Sequence, residues 1–192
     1  MVARSSSLGF YLGIPVIILG EIVRIWSSGH LLKGRQLATD GPYAFVRHPL
    51  YVGNFLIGLG FCIIIWHPLI VLFFVIGFFV VYLATVSAEE EKLRERFEPS
   101  FKSYTEHVHA FIPRLRPYPY RARDPFVFER VWDHGEHIAV LAIVLLLLVL
   151  YLRQAFYQEH RPVGEWMASL VWTVGLGVVL VFFQWKRQIE KK

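Results

Sequence analysis

Two apolar stretches, Leu50–Trp66 and Pro68–Val86, are separated by the single residue His67, and that spacing constrains the fold more than any other feature. As helices rising ~1.5 Å per residue, both approach the hydrocarbon thickness of a bilayer. With one residue between them, the helices must reverse sharply and lie as antiparallel neighbours. Pro68 suits the first turn of the returning helix. Three further stretches, Leu8–Trp26, Ile138–Leu152 and Met167–Trp185, complete a set of five. The fourth is short and needs Gly135–His137 or Arg153–Tyr157 at the interface to span. A signal peptide fits the first stretch poorly, because Glu21 and Arg24 fall inside it and it is too long for a cleaved core. The expected fold is an all-α, polytopic transmembrane helical bundle of about five spans.

Composition excludes the main alternatives. Of 192 residues, 55% are hydrophobic and 18% charged, against about 45–50% and about 25% in soluble globular chains. The single cysteine, Cys62, lies in an apolar run, which rules out a disulfide scaffold. The net charge of +5 does not point to nucleic acid, since the basic residues sit between spans, at the level of anionic lipid headgroups. If the amino terminus faces out, segments 27–49, 87–135 and 186–192 hold 16 of the 20 Lys and Arg residues, against three outside. The excess assigns those segments, and the carboxyl terminus, to the cytoplasm.

Two polar clusters border the hairpin. The first is Gly41-Pro42-Tyr43-Ala44-Phe45-Val46-Arg47-His48-Pro49-Leu50-Tyr51-Val52-Gly53, entering the second span; the second is Glu89-Glu90-Glu91, leaving the third. The hairpin brings both to one membrane face. Gly41-Pro42 is a turn signal. Pro49 forces His48 out of helical dihedrals and starts a helix at its own position. Arg47 and His48 then sit at a helix amino terminus, a place suited to a carboxylate. Read alone they are interfacial anchors, and three glutamates in a row are ordinarily a solvated face. Beyond them Leu93, Phe97, Phe101, Tyr104, Val108, Phe111 and Ile112 recur every three or four residues. That periodicity predicts an amphipathic interfacial helix over 89–112, kinked at Pro99 and ended before Pro113.

Taken together, Gly41-Pro42-Tyr43 and Arg47-His48-Pro49 with Tyr51 and Gly53 resemble the first signature of the isoprenylcysteine carboxyl methyltransferase family. Glu89-Glu90, Leu93, Phe97, Tyr104, Val108 and Ile112-Pro113 are similar to its second, and phospholipid N-methyltransferases share the arrangement. The resemblance extends over roughly residues 8–113, including Arg24, Trp26, Gly29-His30-Leu31 and Lys33. It implies a membrane enzyme using S-adenosylmethionine, converted to S-adenosylhomocysteine, without a Rossmann-type fold; no Gly-rich loop follows a strand pattern here. By resemblance, Tyr43, Arg47, His48, Pro49, Tyr51, Gly53, Glu89, Glu90, Leu93 and Tyr104 form the cofactor site. Glu89, Glu90 and Arg47 are its catalytic candidates. The sequence departs from the pattern at Glu98 and Phe101, where glycine and tyrosine are usual. Ala84 and Thr85 stand where eukaryotic prenylcysteine enzymes carry an arginine, which argues against a prenylcysteine acceptor.

The expected organisation is a methyltransferase-like core over 1–113, a cytoplasmic Arg- and aromatic-rich linker over 114–135, and two further spans at about 136–153 and 167–185. The linker reads as a lipid-facing surface, with a lid over the site as the alternative. Glu21 and Arg24, three apart within a span, are either a functional pair or a snorkelling structural one. His30 and Lys33 are candidates for substrate contact or interfacial placement. No metal site is expected, since His107, His109, His134 and His137 lack ligand spacing with carboxylates or cysteines. His67 reads as polar capping at the outer turn, and the tryptophans as interface anchors. The expected partners are the bilayer and a lipophilic or small acceptor (carboxylate, amine or thiol), in a bacterial plasma membrane. Rival classes are an NADPH-dependent sterol-reductase-like enzyme and a non-catalytic membrane scaffold. Replacing His48 or Glu90, which lie at span ends, is expected to abolish cofactor binding, to leave the protein inserted and to remove no buried apolar contact.

Overall fold

A computed structural model describes residues 7–32 and 36–157. The fifth stretch, Met167–Trp185, and Lys33 lie outside the described residues. The chain divides into two units, Met1–His134 and Gly135–Lys192.

In the first unit, helix α1 (Ser7–His30), helix α2 (Pro49–Ile65) and helix α3 (Pro68–Phe97) form the apolar framework. α1 and α3 are long and apolar enough to cross a membrane, and α2 is a shorter apolar helix. At ~1.5 Å per residue, its 17 residues cover about 26 Å. The reversal between α2 and α3 is as tight as the sequence requires. Trp66 takes a left-handed conformation (φ 49°), His67 is extended, and Pro68 opens α3. The Trp66 N–H donates to the Cys62 carbonyl at 2.9 Å, closing the last turn of α2 with a residue in the position usually held by glycine.

α1 packs along α2 through glycine. The Gly13 Cα faces the Gly60 carbonyl and the Ile64 side chain, and Gly20 faces the Gly53 carbonyl and Ile57. A Cβ at Gly60 would lie 2.7 Å from the Gly13 carbonyl oxygen, closer than real Cβ atoms approach anything. In a membrane, where lipid tails are as apolar as leucine, such close backbone contact is what holds helices together. α3 meets α2 differently, through rings: Phe55 lies 5.1–5.8 Å from Phe74, Phe78 and Phe79.

The expected helix over 89–112 is two pieces and a strap. α3 continues without a break to Phe97, so the glutamates ride on the spanning helix itself. Glu98 is extended (ψ 140°), as the residue before a proline tends to be. Helix α4 (Ser100–His107) follows and ends at Val108, whose backbone is extended. The apolar face of α4 packs on protein. Phe101, Tyr104, Val108, Ala44 and Tyr118 are all buried together, with Leu37, Phe45, Leu93 and Phe97 around them. Phe101, one of the departures from the family pattern, fills that core.

The strap closes over the turn before α2, a short 3-10 helix at Gly41–Ala44. The Arg114 N–H donates to the Phe45 carbonyl at 2.9 Å and the Tyr118 N–H to the Ala44 carbonyl at 2.8 Å. Further along, the Asp124 N–H donates to buried Asp40 and the Ala122 N–H to Thr39. Helix α5 (Phe128–Asp133) ends the unit, with the Val127 N–H on the Gly29 carbonyl. Residues 114–134 are therefore tied to the rest of the first unit by hydrogen bonds from their backbone N–H groups, while Leu115, Tyr120 and Phe128 remain exposed. In the second unit, helix α6 (Glu136–Tyr157) extends the short fourth stretch at both ends to 22 residues, a spanning length.

The glycine contacts make a direct prediction. Gly60→Val should cost about 1–3 kcal/mol through overpacking, whereas Gly77→Ala, whose added methyl meets nothing within 4 Å, should be neutral or slightly stabilising. Thermal unfolding of the two variants in one detergent compares them.

Candidate functional site

Pro49 fixes the geometry on the first side of the site. It begins α2, leaving His48 as the residue that precedes the helix, with φ −122° and ψ 62°. The chain before it is gripped from across the turn: the Arg47 N–H donates to the His109 carbonyl at 2.8 Å and the His48 N–H to the Ala110 carbonyl at 3.2 Å. Both side chains then reach α3.

Their meeting point is one carboxylate. Glu90 Oε1 accepts from Arg47 Nε at 2.9 Å, lies 2.8 Å from Arg47 Nη2, and lies 3.0 Å from His48 Nε2. A carboxylate only accepts, so the Nε2 proton of His48 points at Glu90. Glu89 stands beside it: Tyr51 Oη donates to Glu89 Oε1 at 2.9 Å, and His48 Nδ1 is 3.6 Å from Glu89 Oε2. The two carboxylates differ in exposure, 19% for the Glu90 side chain and 48% for Glu89. That difference separates an internal partner from one that meets solvent.

Arg47 has a second task. Its Nη1 donates to the carbonyls of Val108 (2.7 Å) and Thr105 (3.4 Å), at the carboxyl end of α4. Those last carbonyls have no partner inside the helix, and a cation there also complements the helix dipole. Arg114 Nη1 donates to the His107 carbonyl in the same place. Arg47 therefore ties α4 and the start of the strap to α3. His48 is 7% exposed, and removing Glu90 would strand Arg47.

Other residues of the expected site occupy the packing around this cluster. The Tyr104 hydroxyl donates to the Tyr43 carbonyl at 2.6 Å, inside the core, and burial pushes its phenol well above the ordinary range. Pro49 is fully buried, Gly53 lies against α1 beneath the Arg24 side chain, and Leu93 borders the α4 core. Glu21 and Arg24 pair at 3.7 Å, and Arg24 also donates to Asn54 on α2. His30 Nδ1 lies 3.0 Å from the Trp26 carbonyl, with its ring 5.7 Å from Phe126. Among the described residues no three His, Cys, Asp or Glu side chains are grouped as metal ligands.

Sequence reasoning missed the carbonyls of Thr105, Val108, His109 and Ala110, because a periodic pattern assigns them to a helix. It also missed Tyr82. That ring packs 5.7 Å from Tyr51 and 5.0 Å from Phe111, and the signal available was its place seven and eight residues before the two glutamates.

Residues 13–95, which contain both polar motifs, match the family model described as isoprenylcysteine carboxyl methyltransferase (ICMT). The ICMT resemblance is borne out over that segment. The chain is 33% identical over 115 residues to the cobalt-zinc-cadmium resistance protein CzcN of Cupriavidus metallidurans, covering 59% of this chain and 53% of that one. It is 29% identical over 145 residues to the nickel-cobalt-cadmium resistance protein NccN of Alcaligenes xylosoxydans xylosoxydans, covering 69% and 67%. A protein-S-isoprenylcysteine O-methyltransferase of Tribolium castaneum is 31% identical over 119 residues, covering 56% and 42%. The chain thus spans between about two fifths and two thirds of the length of these relatives. No solved structure matches it.

The cluster carries a pH signature. Burial alone would raise Glu90, but the His48 hydrogen bond and the Arg47 charge hold its carboxyl below the usual glutamate value of 4.5. A group depressed in the folded state contributes stability above its unfolded value and loses that contribution as pH falls through the folded one. Wild-type protein should therefore lose thermal stability on acidification below about pH 4.5. Glu90→Gln should be less stable at neutral pH and show a shallower acid limb. Melting curves from pH 7 to pH 3 read the difference.

Proposed function

We propose that this protein is a membrane S-adenosylmethionine-dependent methyltransferase acting on a lipophilic or small acceptor. The observation that carries the reading is the convergence of both motifs on one carboxylate, Arg47 and His48 from one side and Glu90 from the other, with Glu89 and Tyr51 at its exposed edge. The relatives named O-methyltransferases and the ICMT family match support the same chemistry.

The donor set fits the cofactor. A half-exposed glutamate suits an ammonium group or ribose hydroxyls. When bound, S-adenosylmethionine supplies an electrophilic methyl group on a sulfonium. The chain's own residues orient and desolvate. Arg47 acts as a positioning residue, since its donors are engaged by Glu90 and by carbonyls. His48 fixes Glu90 and faces Glu89, while Glu89 and Tyr51 are the groups left to meet a ligand. Glu89 is the better placed base for an amine acceptor, because Glu90 is already held by two cationic or N–H partners; a carboxylate acceptor needs no base. Methyl transfer is an in-line displacement, so the gain from this arrangement is orientation.

Orientation in the membrane follows from charge. The segment 87–135, with nine Lys and Arg residues, faces the cytoplasm in this reading, and a cysteine placed at position 121 should resist membrane-impermeant labelling from outside. Labelling there would invert the topology.

Labelled S-adenosylmethionine should bind the purified protein and NADPH should not; the reverse result selects the reductase class, and no binding of either selects the scaffold. Glu89→Ala should weaken S-adenosylhomocysteine affinity about 10- to 150-fold, the loss of a charge-assisted hydrogen bond. Its melting temperature should change little, because exposed ion pairs contribute at most about 1 kcal/mol. Calorimetric titration measures the first and thermal unfolding the second. Lipid mass spectrometry of cells with and without the protein then identifies the acceptor by a shift of one methyl group.

A further inference from the structure

The rings between α2 and α3 are Phe55, Phe74, Phe78, Phe79 and Phe111, together with two that carry a hydroxyl, Tyr51 and Tyr82. The Tyr51 hydroxyl is engaged by Glu89. Tyr82 is 5% exposed, and its hydroxyl is buried with no hydrogen-bond partner among the described residues. Leaving a buried hydroxyl unsatisfied is unfavourable, and phenylalanine would supply the same ring without that penalty. The ring itself is well accommodated, stacked on Phe78 at 6.0 Å with the planes 10° apart. Packing therefore explains the ring and leaves the oxygen unexplained.

Position supplies the explanation. Tyr82 precedes Glu89 and Glu90 by seven and eight residues, two helical turns, which puts it on the same face of α3. Its ring lies 5.7 Å from Tyr51, and its hydroxyl is within electrostatic reach of both Glu90 and Arg47. The unsatisfied oxygen thus belongs to the charged cluster, at the end of the aromatic layer that borders it. We propose that Tyr82 is a ligand-binding residue of this site, its hydroxyl hydrogen-bonding the polar part of the bound S-adenosyl cofactor; this rests on the cofactor reading above. The group is short of a partner because the ligand is that partner. Tyr51 and Tyr82 then flank the entry of the ligand from two helices, one hydroxyl fixed to Glu89 and the other waiting.

Tyr82→Phe removes the oxygen and keeps the ring, so the variant should fold. The full-length protein in detergent is titrated with S-adenosylhomocysteine, and the melting temperature of the ligand-free form is measured alongside. Affinity should fall roughly three- to ten-fold, the loss of one neutral hydrogen bond. The ligand-free variant should melt at the wild-type temperature or above it, because nothing satisfied is lost. A ligand-free melting temperature below wild type would mean that the hydroxyl has a structural partner, and overturns the proposal whatever the affinity. Wild-type affinity in the variant also overturns it, and if methyl transfer then falls, the hydroxyl serves the acceptor instead. If the wild-type protein itself binds no S-adenosylhomocysteine, the cofactor reading fails first and the role of Tyr82 falls with it.

Discussion

The structure of the first unit turns on the Glu90 carboxylate. An arginine and a histidine that are neighbours in sequence converge on it from the start of α2, and α3 supplies it. Because Arg47 simultaneously holds the final carbonyls of α4, one side chain links three segments that apolar packing alone would not align. Charge-assisted hydrogen bonds of this kind are worth roughly 1.5–3 kcal/mol each. Their larger effect is directional. Apolar surface can be buried in many registers, whereas a guanidinium shared between a carboxylate and two carbonyls permits few.

How far this could be read from the sequence depends on range. The reversal at His67, the start of α2 at Pro49 and the approach of Arg47-His48 to Glu89-Glu90 all follow from local rules, and all are found. Proline at a helix start and a one-residue connection leave the chain little choice. The course of residues 108–118 is different. Their apolar positions continue the helical period of α4, yet their backbone donors and acceptors are spent on residues 44–48. Periodicity reports which side chains want burial; it does not report whether a partner backbone lies near enough to displace the helix. The hairpin closes the 43-residue separation of Arg47 and Glu90, but no comparable constraint announces the pairing of His109 with Arg47.

The glycines show a signal that was present and unread. Gly9 and Gly13 lie one turn apart on α1, and Gly53 and Gly60 two turns apart on α2. Each run reads as apolar composition until the facing helix is known. Tyr82 is a second case. In a list of span residues it is one more aromatic, and only the burial of its oxygen distinguishes it from the phenylalanines around it.

α2 consequently has two unlike sides. Toward α1 it presents glycine, and backbones approach until a single added methyl would collide with a carbonyl. Toward α3 it presents rings: Phe55 stacks on Phe74 and tilts against Phe78 and Phe79, and Tyr51 meets Tyr82 edge to face. Within a bilayer neither side is driven together by water, so packing quality decides which contact is rigid. The glycine side has no room for adjustment and fixes where α2 begins, and with it where Arg47 and His48 emerge. The polar groups open to solvent, Glu89 foremost, lie at the end of that second interface. Both carboxylates ride on α3, and their partners set them apart: Glu90 is held by Arg47 and His48 at the start of α2, whereas Glu89 accepts from Tyr51 and stays 48% exposed.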